Sequence, residues 1–152
     1  MKILFVCTGN CSRSPMAEAY FSHLCKQNKL DEVKCHSAGI KVKDESLPPE
    51  EAKEVMASLG LSLDNHTPRQ LTEEIVAASD HIIAMDSSHV DYITKNFKSF
   101  PKENIRLLLS TLGTEEDVDD PYSGDLETFQ ECFLTMMPAL ANLGDRIMRS
   151  TH

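Results

Sequence analysis

Ile3-Leu4-Phe5-Val6-Cys7-Thr8-Gly9-Asn10-Cys11-Ser12-Arg13-Ser14-Pro15 passes from four apolar residues into a cysteine, a short polar stretch, an arginine and a proline. A continuous apolar run is what a central strand of a parallel sheet presents, because both of its faces are covered. Ser14 reads as an N-cap and Pro15 as the first helical residue, where a missing N–H has no partner to lose. Strand, loop and helix therefore follow one another directly. Gly9 lets the loop turn tightly, and Asn10 can brace it in a left-handed conformation.

A short loop closing into a helix start aims several backbone N–H groups at one point and forms an anion nest. Thr8, Gly9, Asn10, Cys11 and Ser12 would supply that nest. Arg13 adds a planar fork of donors matched to two oxygens of a tetrahedral oxyanion. Cys7 stands at the mouth of this positive concavity, which favours its thiolate, the nucleophilic form. Ser14 is placed to donate a hydrogen bond to that sulfur. The blander reading of Cys7, a small buried residue finishing a strand, leaves the arginine and the glycine-containing loop without a purpose.

Outward from this stretch, helical and strand patterns alternate. Pro15 to about Asn28 reads as a helix with Ala17, Tyr20, Phe21, Leu24 and Cys25 inward, so Cys25 reads as core. Val33 to Ala38 reads as a strand ending at Gly39, and Ile40 to Leu47 as a polar surface loop. Pro48-Pro49 opens a helix whose inner stripe is Ala52, Val55, Met56 and Leu59, stopped by Gly60. Leu61 to Gln70 is irregular and contains His66 and Arg69. Thr72 caps a short helix, and His81 to Met85 is a buried strand. Asp86 caps a helix to about Phe97 with Val90, Ile93 and Phe97 inward. Ile105 to Leu109 is a fourth strand. The last helix spans about Leu126 to Met148, with Phe129, Phe133, Leu140 and Ile147 apolar; Pro138 inside it should kink or split it. This alternation argues an α/β fold, a parallel sheet flanked by helices on both faces, with ligands bound at the carboxyl ends of the strands.

The 152 residues suit a single domain, 1–152, with 41% hydrophobic and 26% charged residues. A net charge of −9 argues against nucleic acid or an anionic membrane as partner. The apolar run after Lys2 is shorter than the roughly 7–15 residues of a secretory core, and no stretch approaches the ~18 of a membrane span. Five cysteines (Cys7, Cys11, Cys25, Cys35, Cys132) are an odd number without paired metal spacing, so no metal site is expected and reduced thiols in a cytoplasm fit best.

A thiolate attacking phosphorus expels a poor leaving group and needs a general acid opposite. Glu115-Glu116-Asp117-Val118-Asp119-Asp120-Pro121-Tyr122 is the candidate source. It reads equally as a solvated acidic loop. In favour of chemistry, crowded carboxylates disfavour one another's ionisation, and Pro121 holds Asp120 extended.

Val6 to Glu18 resembles the signature of the low-molecular-weight protein tyrosine phosphatases, and the similarity runs along nearly the whole chain through Ser37-Ala38-Gly39 and Asp120-Pro121-Tyr122. The resemblance implies a four-stranded parallel sheet in the order 2-1-3-4 with the phosphate loop after the first strand. It implies hydrolysis of phosphorylated proteins through a phosphocysteine on Cys7, with inorganic phosphate as product and no cofactor. Arg13 would hold the phosphoryl oxygens, Asp120 would act as acid and then base, and Tyr122 would wall the pocket. His66 would support the loop, where the plainer reading is a loop histidine bonded to backbone.

The sequence departs from the family at Cys11-Ser12, where the second loop cysteine falls one position early. A family disulfide with the nucleophile is therefore open here, and so is the leaving group. In the family an aliphatic residue at this position goes with phosphotyrosine and threonine with phosphoarginine; Cys11 is neither. The loop from Ile40 to Leu47 lacks the aromatic that some tyrosine phosphatases place there. A thiol-linked arsenate reductase would need further cysteines after the third strand, and Asp86 to Phe97 has none. A non-catalytic phosphate-binding module would not need Cys7, Arg13 and Asp120 together, and a phosphocarrier would not need the acid.

Overall fold

A computed structural model describes residues 1–151, the side chain of Thr151 excepted. The elements are β1 (Lys2–Cys7), α1 (Arg13–Gln27), β2 (Lys34–Gly39), α2 (Glu50–Ala57), α3 (Glu73–Ala77), β3 (His81–Ala84), α4 (Ser87–Asn96), β4 (Ile105–Leu107) and α5 (Leu126–Thr151). All strand pairs are parallel and the order is β2-β1-β3-β4, as the resemblance implied.

The apolar run of β1 serves two cores, because successive side chains point to opposite faces. Ile3, Phe5 and Cys7 join a larger cluster with α1, α2 and α5, including Met16, Phe21, Met56, Phe129 and Phe133. Leu4 and Val6 join Val76, Ile82, Ile93 and Ile105 on the face covered by α3 and α4. Helices thus lie on both faces. Cys7, on the larger-core face, is carried to the carboxyl edge of the sheet directly before the loop.

Several local expectations hold. Thr72 Oγ1 accepts from Ile75 N at 3.3 Å, and Asp86 caps α4 with its Oδ1 2.9 Å from Ser88 N. Gly60 closes the turn after α2 in the left-handed region. In α1 the inner row is Ala17, Phe21 and Cys25, while Tyr20 turns to meet Phe133 edge-on at 5.2 Å.

Others are corrected. α1 starts at Arg13 with Ser12 as N-cap, and no side chain caps it. Ser14 is therefore inside the first turn, and Pro15 still loses nothing because first-turn N–H groups lack intrahelical acceptors. Leu59 lies beyond α2 and is exposed, carried off the buried stripe by the closing turn. β4 ends at Leu107; Leu108 and Leu109 leave the sheet in a 3-10 turn, Leu108–Leu112, to bury themselves in the larger core. α5 runs through Pro138 without splitting. Burial of Met136, Ala139 and Leu140 around the proline offsets its missing hydrogen bond. Among the described residues, no helix is long and apolar enough to cross a membrane.

Candidate active site

The loop from Thr8 to Ser12 joins β1 to α1, and Asn10 is its structural centre. Asn10 is fully buried with φ +56°. Its Nδ2 donates to Ser14 Oγ (2.8 Å) and Ser37 Oγ (2.9 Å), and its Oδ1 accepts from Arg69 N (3.0 Å). His66 Nε2 donates to its carbonyl at 2.7 Å, which is the loop-supporting geometry. A left-handed non-glycine residue costs energy; here the side chain's bonds to both flanks hold it.

Gly9 does not take a positive φ, and a Cβ there would find only Cys11 Sγ, 4.0 Å away. The glycine that the loop requires is Gly39, at the end of β2. A Cβ on Gly39 would lie 2.6 Å from Thr8 O and 2.9 Å from Asn10 N, where the loop crosses it. The sequence reading assigned the tight spot to the wrong glycine because the close approach comes from a neighbouring strand.

The remaining loop bonds run through carbonyls and side chains: Ile40 N to Cys7 O at 3.1 Å and Lys41 N to Thr8 O at 2.9 Å. Among the described residues, the N–H groups of Gly9 to Ser12 take no protein acceptor. They lie beside the uncapped start of α1, whose first turn carries no acidic residue. That is the donor set of an anion nest.

Cys7 Sγ lies 2.9 Å from Ser14 Oγ in a buried contact. Because Ser14 Oγ accepts from Asn10, its own proton is free to be donated to the sulfur. Cys11 Sγ is half-buried and donates to Gly9 O at 3.4 Å. Burial pushes its thiol up, against a hydrogen bond from Ser46. Cys7 and Cys11 are both free thiols.

Arg13 is 2% exposed, and its guanidinium is held at Nη1 and Nη2 but not at Nε. Nη1 donates to Asp86 Oδ2 (2.8 Å) and Val118 O (2.7 Å); Nη2 reaches Thr8 Oγ1 at 3.4 Å and Asp120 Oδ2 at 3.6 Å. Among the described residues, Nε is the one buried side-chain nitrogen or oxygen with no hydrogen-bond partner. A buried charged donor left unpaired is costly, and a tetrahedral oxyanion in the nest would supply the acceptor it lacks.

Asp86 was legible as a helix cap, but its second task, anchoring Arg13, was not. Burial works against its charge, yet hydrogen bonds from Ser88 and Arg13 hold its carboxyl below the usual range. His89, also missed, is fully buried. Its Nδ1 accepts from Asp86 N at 3.1 Å, so Nε2 carries the proton and donates to Thr8 Oγ1 at 2.9 Å. Burial lowers its pKa to about 4, so the ring is neutral at pH 7. Both follow β3, at the strand ends where such sheets bind ligands; that position was the available signal.

The acidic loop is fastened by its buried Val118. Val118 N donates to Met85 O at 2.8 Å while Val118 O takes Arg13 Nη1, and Asp117 Oδ1 accepts from Ser87 N at 2.9 Å. This places Asp120 at the mouth of the cradle. Its Oδ1 accepts from Tyr122 N at 3.0 Å and its Oδ2 faces Arg13. Asp119 is exposed, and its carbonyl takes Cys132 Sγ at 3.7 Å. Tyr122 is 75% exposed, with Lys43 Nζ 5.8 Å from its ring centroid.

A thiol beside a buried arginine and an amide nest, with a carboxylate at the mouth, defines the class of sites that bind tetrahedral oxyanions and can attack them. The profile of the family described as low molecular weight phosphotyrosine protein phosphatase matches residues 2–152, and the chain belongs to that family of hydrolases. It is 33% identical over 131 residues to a protein-arginine-phosphatase of Bacillus subtilis, covering 86% of each chain. It is 36% identical over 132 residues to the low molecular weight protein-tyrosine-phosphatase YfkJ of the same species, covering 84% of this chain and 85% of the relative. Among solved structures, a YwlE arginine phosphatase mutant with a phosphorylated active-site serine in place of cysteine superposes with a TM-score of 0.91. Its identity is 30%, and the match covers 97% of this chain and 96% of that one.

Proposed function

We propose that residues 1–152 act as a single phosphatase domain that hydrolyses phosphotyrosine in protein substrates through a phosphocysteine on Cys7. The observation that carries this reading is Arg13: buried, tied down at Nη1 and unpaired at Nε, next to a thiol that already has a hydrogen-bond donor. Cys7 attacks phosphorus while Asp120 protonates the leaving oxygen. Asp120 then deprotonates the water that releases inorganic phosphate. Arg13 and the N–H groups of the loop hold the equatorial oxygens through both steps, so the positive charge comes from the chain itself without a metal or cofactor. Ser14 stabilises the sulfur as nucleophile and as leaving group. Tyr122 offers its exposed ring as the wall for a phenol, and the reaction belongs to a reducing cytoplasm. The relative whose active-site serine carries a phosphoryl group supports transfer to position 7.

Phosphoarginine is the second reading, and specific observations favour it. Position 11 is not aliphatic, the exposed Asp120 carboxylate stands at the mouth beside Arg13, and the Tyr122 ring already accommodates a cation from Lys43. The protein-arginine-phosphatase relatives point the same way.

Initial rates on phosphotyrosine and phosphoarginine peptides under reducing, metal-free conditions decide between them, with Cys7→Ser as blank. Faster phosphotyrosine turnover is expected; faster phosphoarginine turnover keeps the chemistry and changes the substrate. Cys7→Ser should lose turnover to the level of buffer yet accept one phosphoryl group, read by mass spectrometry. Retained turnover removes Cys7 as nucleophile.

A further inference from the structure

A cavity of about 440 Å³ is bounded by α1, by β2 and by the segment from Ser62 to Arg69. Cys7, Arg13 and Asp120 do not line it, so it is separate from the candidate active site. Its volume is that of a small-molecule cleft. One part of its wall is apolar, with Pro15, Ala19 and the buried Leu63. The other part carries two opposite charges, Glu18 and Arg69, on either side of Ser37.

Both charged groups are held in place before any ligand arrives. Ser37 Oγ donates to Glu18 Oε1 at 2.5 Å. Arg69 Nε donates to Ser37 O at 3.0 Å, and Arg69 Nη2 donates to His36 Nδ1 at 2.9 Å. His36 is itself fixed from its other side, with Nε2 3.2 Å from Ser79 Oγ. Ser79 Oγ donates its own proton to Ile75 O, so His36 Nε2 is the donor and Nδ1 the acceptor for Arg69. Among the described residues, neither Glu18 nor Arg69 takes part in an ion pair, and Glu18 Oε2 and Arg69 Nη1 have no hydrogen-bond partner. A fixed carboxylate and a fixed guanidinium therefore share one cavity with an acceptor and a donor unspent. Groups held in this way lose little entropy on binding.

We propose that this cavity is a second ligand site, that its ligand is an α-amino acid in zwitterionic form, and that its occupancy is coupled to oxyanion binding in the phosphate loop. The ligand's carboxylate accepts from Arg69 Nη1, its ammonium donates to Glu18 Oε2, and an aliphatic side chain lies along Ala19 and Leu63. A purely anionic ligand would meet Glu18 as a like charge, and a purely cationic one would meet Arg69, so the pair selects a molecule that carries both. The coupling runs through Asn10. Ser37 Oγ, the Arg69 N–H and His66 Nε2 all bond to that residue, and Asn10 in turn holds Ser14. A ligand that bridges Arg69 and Glu18 over Ser37 steadies these bonds, and linkage makes the effect reciprocal. The site depends neither on Cys7 chemistry nor on which phosphorylated residue is cleaved.

The test titrates L-leucine into the full isotopically labelled chain and follows its backbone amide resonances by NMR. Saturable shifts are expected at Ala19, Leu63, Thr67 and Arg69, and inorganic phosphate should not displace them. Leucinamide, which lacks the carboxylate, and 4-methylpentanoate, which lacks the ammonium, should each bind at least about tenfold more weakly. Glu18→Gln and Arg69→Gln should show the same loss. Thr67→Trp fills the cavity while removing none of the bonds to Asn10, and it should abolish the shifts. Saturating L-leucine should tighten inorganic phosphate binding by about fivefold or more. Absence of saturable shifts would overturn the proposal, as would their displacement by phosphate or their survival in Thr67→Trp. Equal binding of leucinamide or 4-methylpentanoate would overturn the zwitterion, and an unchanged phosphate affinity would overturn the coupling.

Discussion

The loop from Thr8 to Ser12 and the acidic loop that carries Asp120 are held in opposite ways. In the first, Asn10, Arg13 and Ser14 are buried, and they are bonded to one another and to β2, the His66–Arg69 segment and Asp86, the cap of α4. In the second, Val118 and Pro121 are buried while Asp119, Asp120 and Tyr122 are exposed. The cradle is set before a ligand arrives, which is what electrostatic stabilisation of a transition state requires. The acidic loop is pinned at Val118 and open at Asp120. Arg13 Nη1 bonds to Val118 O, so the fixed region sets the position of the open one.

Replacing the fork breaks the fixed side. Arg13→Lys should lower kcat by roughly 10²–10³-fold, because a point charge cannot bond Asp86, Val118 and an oxyanion together. The loss should be equal on p-nitrophenyl phosphate and phenyl phosphate, since Arg13 does not touch the leaving group. A loss confined to one substrate would contradict that role.

Asp120→Ala acts on the open side. The expected loss is on the order of 10²-fold or more for phenyl phosphate, and much smaller for p-nitrophenyl phosphate, whose leaving group needs no proton. Equal losses on both would make Asp120 a structural residue.

The smallest effect sharpens the account of the fixed side. His89 is held neutral, with a pKa of about 4 against about 6.5 in the unfolded chain. Between those values the unfolded state binds the extra proton, so stability rises with pH there. The contribution is complete above pH 6.5 and is lost as pH falls toward 4. Thermal melting should therefore drop over this window, and less steeply for His89→Asn. Parallel curves for the two proteins would remove His89 as the cause.

Cys7 to Pro15 was readable as a strand–loop–helix oxyanion site because its partners are neighbours in the chain, and a loop entering a helix start needs few residues to form one. Asp120 was readable only as a candidate, since an acidic run reads equally as solvated surface until something brings it to the cradle. Ser14 shows the limit from the other direction. Its N-cap chemistry was a reasonable local reading, but the hydroxyl is taken by Cys7 and Asn10.

What the sequence by itself determined was the alternation of strands and helices, two-faced burial of the first strand, and the loop that carries Cys7 and Arg13 from that strand into a helix. These follow from side-chain periodicity and short-range backbone geometry. Tertiary structure alone decided that Gly39 must lack a side chain, that Asp86 and Val118 hold Arg13, and that His89 holds Thr8. Each of these depends on the order in which parallel strands are laid side by side, and a parallel crossover brings together residues too far apart in the chain for any local pattern to relate them.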